Sequence, residues 1–130
     1  MAENIPDFWP EDIGATTVVT PLSLMKEAAS YLGPKTKQLV KAEVRTNATG
    51  DSFQQSFLLV APGLNNYQYL LFYLQHPITL YPATLVWQSG PALIMSQEQL
   101  VEKLKEIIGS EQTKKIVQAL LAQVSGPAET

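Results

Sequence analysis

SFQQSFLLVAPGLNNYQYLLFYLQHPITLYPATLVWQSGPALIMSQ, residues 52–97, decides the fold. These 46 residues contain no Asp, Glu, Lys or Arg, yet they hold eight of the eleven aromatic side chains of the chain: Phe53, Phe57, Tyr67, Tyr69, Phe72, Tyr73, Tyr81 and Trp87. A segment in water carries charge at about one residue in four. Much of this stretch must therefore be covered, and its β-branched and aromatic content points to strands. Ser52–Ala61 reads as one strand, with Phe53, Phe57 and Leu59 on one face and Gln54, Ser56, Leu58 and Val60 on the other. Pro62-Gly63-Leu64-Asn65-Asn66 is a turn by composition. Tyr67–Gln75 is apolar on both faces, as a central strand is. Strict alternation puts Tyr67, Tyr69, Leu71 and Tyr73 on one side and Leu70, Phe72 and Leu74 on the other. His76-Pro77 reads as the next turn and Ile78–Gln88 as a fourth strand. Pro82, which has no N–H to donate, implies that this strand is an edge or carries a bulge.

Upstream, Val40, Ala42, Val44 and Thr46 alternate with Lys41, Glu43 and Arg45, so Gln38–Thr46 reads as the first strand. Its charges of both signs suit an edge. It pairs antiparallel with Ser52–Ala61 across the turn Asn47–Asp51, in the register that joins Val40, Ala42 and Val44 to Phe53, Phe57 and Leu59. A meander ordered 1-2-3-4 follows. Ala92–Met95 is either a fifth strand or a linker.

Helices flank the sheet. Thr20 is a suitable N-cap, Pro21 fits the first helical position, and Gly33-Pro34 ends a run in which Leu24, Met25, Ala28, Tyr31 and Leu32 form one apolar face. Ser96 caps a second helix with Gln99 in the capping-box position, and Leu100, Val101, Leu104, Ile107 and Ile108 make its stripe. Gly109 stops that helix and Ser110 caps the next, whose stripe is Ile116, Val117, Leu120, Leu121 and Val124, giving an αα-hairpin. The expectation is one α+β domain over residues 1–130: a four-stranded antiparallel meander, with a fifth strand if Ala92–Met95 joins, carrying an N-terminal helix and a C-terminal αα-hairpin. Residues 1–15 read as an irregular lead-in, Thr16–Val19 as a short β segment and residues 125–130 as a flexible tail. Within the lead-in, Phe8-Trp9 reads as a strap that plugs the core edge or as a segment that docks on a second copy or a partner.

With 130 residues, 45% hydrophobic, the chain suits one folded core. Its net charge of −3 argues against nucleic acid or an anionic membrane as a partner. The absence of cysteine excludes disulfides, thiolate nucleophiles and Cys-ligated metals. The start of the sequence has neither the basic residues nor the apolar run of a secretory leader, and no apolar run is long enough to span a bilayer, so the expected location is the cytoplasm.

Little points to chemistry. His76 is the only histidine, and any Ser-His engine or His-containing metal site has to be built around it. It reads as a turn or capping residue. Glu3, Asp7, Glu11 and Asp12 lack the spacing of a calcium loop. Lys26, Lys35, Lys37, Lys41 and Arg45 form a basic cluster interrupted by Glu27 and Glu43, which reads as a solvated edge. Asn47-Ala48-Thr49 matches a glycosylation acceptor by chance. No catalytic residues, metal ligands or cofactor are assigned. The feature that points to function is the tyrosine side of strand three. Tyr67, Tyr69 and Tyr73, beside Leu58 and Val60, would form a face for a homodimer or another protein, unless the C-terminal helices cover it. The alternative expectation is a small-molecule binding protein or small enzyme with a pocket for an apolar or aromatic ligand between sheet and helix. Tyr67, Tyr69, Tyr73 and Trp87 would line it, and His76 lies on the same segment.

Overall fold

The computed structural model of the chain describes residues 6–125. Five antiparallel strands follow one another in space as in sequence: β1 (Lys41–Thr49), β2 (Ser52–Ala61), β3 (Tyr67–Pro77), β4 (Ala83–Trp87) and β5 (Gly90–Ile94). Before them come α1 (Pro21–Ser30) and the single turn α2 (Leu32–Lys35), and after them α3 (Gln97–Ile108) and α4 (Glu111–Ser125). This is the expected α+β meander, with a fifth strand that takes Ala92–Ile94 of the expected Ala92–Met95 and begins two residues earlier, at Gly90. The expected tail lies outside the described residues except Ser125, which ends α4.

The capping predictions hold. The Thr20 hydroxyl accepts from the Ser23 N–H at 3.0 Å, Ser96 from Gln99 at 3.3 Å and Ser110 from Thr113 at 3.1 Å. Each satisfies one of the orphan donors of a first helical turn. Gln99 completes its box one residue early, accepting from the Met95 N–H at 2.7 Å. The Thr113 hydroxyl donates to the Ile107 carbonyl at 2.7 Å and so ties the start of α4 to the end of α3.

Several boundaries differ from expectation. Gly33-Pro34 lies inside α2, where a proline in the first turn forfeits no hydrogen bond. The first strand starts at Lys41, because the Thr36 hydroxyl donates to the Val40 carbonyl at 2.7 Å and accepts its N–H at 3.1 Å, closing a loop over 36–40. That strand runs on to Thr49 and turns in two residues, Gly50-Asp51, with Gly50 at φ 62° in the position a type II′ hairpin reserves for glycine. At the far end, β3 includes His76 and Pro77, the turn falls after them, and β4 begins only at Ala83. Pro82 therefore precedes its strand, and β4 is internal. The edge is β5, where Pro91 can lack a ladder donor without loss. Thr16–Val19 forms no strand.

Helices gather on one face of the sheet. Met25 and Ala29 of α1, Leu100, Leu104 and Ile107 of α3 and Leu120 of α4 share a single buried cluster with Phe57, Leu59, Phe72, Leu74, Leu85 and Ile94. The β1–β2 register is the expected one: Ala42 faces Leu59 and Val44 faces Phe57, both pairs on the helix side. Phe8 and Trp9 plug nothing. They are 80% and 71% exposed, so the strap expected at the core edge is absent.

Candidate functional site

A β-bulge in β3 decides where the tyrosines point. Phe57 pairs with Phe72, but the next residue of β2, Leu58, pairs with Leu70, leaving Leu71 as the extra residue. Leu71 and Phe72 are both in the helix-side cluster. Alternation is reset between them. Tyr67 and Tyr69 lie opposite Ala61 and Leu59 on the helix side, whereas Tyr73 lies opposite Ser56 and Val86 on the outer face. The expected single face of Tyr67, Tyr69 and Tyr73 does not form.

Each half has its own surroundings. Tyr67 and Tyr69 border a depression of about 520 Å3 against Leu64 and the α4 residues Ile116 and Leu120; α4 flanks this side, with Tyr69 half-buried and Tyr67 still 47% exposed. Trp87 also faces the helix layer, with the Lys103 ammonium of α3 lying 6.0 Å from its ring centroid. The sheet itself separates Tyr73 on the outer face from Tyr67, Tyr69 and Trp87 on the helix side. Burial raises the pKa of the Tyr81 phenol above its ordinary value.

His76 is neither in a turn nor solvent-facing. It is buried within β3, stacked on Phe53 at 5.5 Å between centroids. Its Nδ1 lies 2.8 Å from the Pro77 carbonyl, which can only accept, so Nδ1 carries the proton and Nε2 is free to accept. The Gln55 amide nitrogen stands 3.2 Å from that Nε2, and the Gln55 carbonyl oxygen accepts from the Thr46 hydroxyl at 2.6 Å. The run Thr46–Gln55–His76–Pro77 uses each polar atom once and spans β1, β2 and β3. A buried network satisfied in this way fixes register. Its one hydroxyl, that of Thr46, is spent donating to Gln55 and does not touch His76, and among the described residues no three His, Cys, Asp or Glu side chains gather to hold a metal.

The outer face is the open one. From β2 to β5 it presents Leu58, Leu70, Tyr73, Val86 and Leu93, none belonging to the helix-side cluster. Leu70 is 46% and Leu93 65% exposed, while Val60, also on this side, is buried outside the cluster. Around this spine stand Gln54, Ser56, Gln68, Gln75 and Thr84, all uncharged. The charged residues of this face all belong to the edge strand, Lys41, Glu43 and Arg45; Arg45 pairs with Glu43 at 3.3 Å and reaches over β2 to donate to Gln68 of β3 at 3.0 Å. Of the expected interface residues, Leu58, Val60 and Tyr73 lie here and Tyr67, Tyr69, Trp87 and His76 do not. Leu70, Val86 and Leu93 were not anticipated. Only the bulge turns Leu70 to this side with Tyr73, and no residue in β3 advertises a bulge.

Fold and surface together define a small α+β protein with one sheet face packed by helices and one on which no helix of the described residues packs. No family model, curated protein or solved structure matches the chain. No helix among the described residues is long and apolar enough to cross a membrane.

Proposed function

We propose that this protein is a non-catalytic self-association module that pairs with a second copy through its outer sheet face. One observation carries the reading: the outer face has an apolar spine across four strands, Leu58, Leu70, Tyr73, Val86 and Leu93, and β2 to β5 contribute no charged residue to it, the one charge reaching over β2 being the Arg45 guanidinium held by Glu43 and Gln68. Sheets stack face to face through rows of this kind, about 10 Å apart. A two-fold axis through such a face sets identical patches against each other, so self-pairing needs no second complementary surface. The rim of glutamines, serine and threonine can exchange hydrogen bonds around the apolar centre, as interface rims do. Charges at the β1 edge keep that strand from adding a further one.

Sedimentation at micromolar concentration tests the pairing. Self-association is expected for the native chain and should be weakened about tenfold or more by Leu70→Glu/Tyr73→Glu, with helix and strand content unchanged. A native monomer, or self-association of the same strength in the double variant, would refute it.

A further inference from the structure

On the helix side, and independent of the sheet-face pairing, lies a second unpartnered surface. Between α1 and α3 runs a groove of about 640 Å3 lined by Leu24, Ala28, Tyr31, Val101 and Ile108. It adjoins a cleft of about 480 Å3 between α2 and α4, floored by Phe57, Leu59 and Leu71. Ala28, Lys35, Ile108 and Gly109 border both, so the two form one continuous apolar trough. Its ionic residues are Lys35, Lys105 and Lys114 against a single acid, Glu27. The trough is thus locally cationic in a chain whose net charge is −3.

The chain also carries a segment with the opposite chemistry. Residues 7–13, Asp-Phe-Trp-Pro-Glu-Asp-Ile, hold three acids, no base and three large apolar side chains. Phe8, Trp9 and Ile13 are largely exposed, and the hydrogen bonds of the segment stay within residues 7–15, from Trp9 N–H to Asp7, from Ile13 N–H to the Pro10 carbonyl and from Ala15 N–H to the Asp12 carbonyl. A pair of bulky aromatic residues held in water is a poor resting state but a ready anchor, since each ring brings roughly 150–250 Å2 of surface. We infer that the arm of one copy seats Phe8 and Trp9 in the trough of a second copy, with Asp7, Glu11 and Asp12 against Lys35, Lys105 and Lys114. The occupant is a second copy because the single chain leaves its own arm unseated. Reciprocal exchange seats four rings, which with the trough area they cover exceeds the ~1,000 Å2 that a specific interface needs.

A chain without native cysteine allows a direct test in the full-length protein. Ile13→Cys and Ile108→Cys chains, mixed and mildly oxidised, are expected to give mainly the mixed disulfide dimer. That yield should fall at least tenfold when Phe8→Ala/Trp9→Ala is added to the Ile13→Cys chain, and several-fold with Lys105→Glu/Lys114→Glu on the other. Leu70→Glu/Tyr73→Glu should leave it unchanged, which separates this contact from the sheet-face pairing. Three results would overturn the inference: no mixed dimer, equal cross-linking of the Ile13→Cys chain to a Thr84→Cys chain, or an Ile13→Cys/Ile108→Cys chain that closes on itself at high dilution.

Discussion

Phe57 and Phe72 stack across the β2–β3 ladder with ring centroids 4.9 Å apart and planes inclined by 15°. They are the last regular rung before the bulge, and the stack pins the register from which both sheet faces follow. Phe57→Ala should cost about 3–5 kcal/mol, the range for emptying a buried aromatic site. Leu70→Ala, two residues from Phe72 but on the open face, should change the stability of the isolated subunit by less than about 1 kcal/mol. Urea unfolding of both variants at a concentration where the protein is monomeric checks the contrast; equal costs would mean that the outer face is covered within one chain.

Gln55 is the hub of the buried polar run. Replacing it with alanine leaves the His76 Nε2 without its donor and the Thr46 hydroxyl without its acceptor. A loss of about 1–3 kcal/mol is expected from the stranded buried group. Gln55→Ala and His76→Phe should be markedly non-additive, with a coupling of at least about 0.5 kcal/mol in a double-mutant cycle. Additive losses would show that the two side chains do not depend on each other.

The Tyr81 hydroxyl is buried and has no hydrogen-bond partner among the described residues. Tyr81→Phe should therefore hold stability constant or raise it by about 1 kcal/mol near neutral pH. Its pH dependence has a definite sign. Burial raises the phenol pKa in the folded state, so above about pH 10, the ordinary tyrosine value, the unfolded chain has lost a proton that the folded chain keeps. The unfolded state then binds fewer protons, and stability falls as pH rises through that range and the folded pKa. Below it the contribution is fully present. Denaturant melts of native and Tyr81→Phe protein from pH 8 to 11 should show a shallower decline for the variant.

Gly50 sits at φ 62° with open space where a Cβ would project. Gly50→Ala thus meets no neighbour, and only the backbone conformation is penalised, by about 1–2 kcal/mol. Gly50→Asn, which tolerates a left-handed backbone better, should recover part of that loss. Thermal melts of the two variants decide the order, and an alanine variant as stable as the native chain would show that the hairpin can adopt another turn.

Residues 52–97 determined by themselves that the middle of this protein is antiparallel sheet, since uncharged alternating and doubly apolar strands leave few other ways to bury such a stretch. The caps at Thr20, Ser96 and Ser110, the αα-hairpin, the β1–β2 register and the strand order were likewise legible, because hydrogen bonding within a turn and periodicity within an element are local properties. Tertiary structure alone decided which side each tyrosine takes. A bulge needs one extra residue between two paired strands, and nothing local to Leu70-Leu71-Phe72 distinguishes a ladder that slips there from one that does not. The same holds for His76 and Pro82, whose strand or turn state depends on where β4 picks up its partner. That α1, α3 and α4 share one sheet face was likewise decided by the tertiary structure, because Met25, Leu100, Leu104 and Leu120 converge on Phe57, Leu59 and Phe72 from segments far apart in the chain.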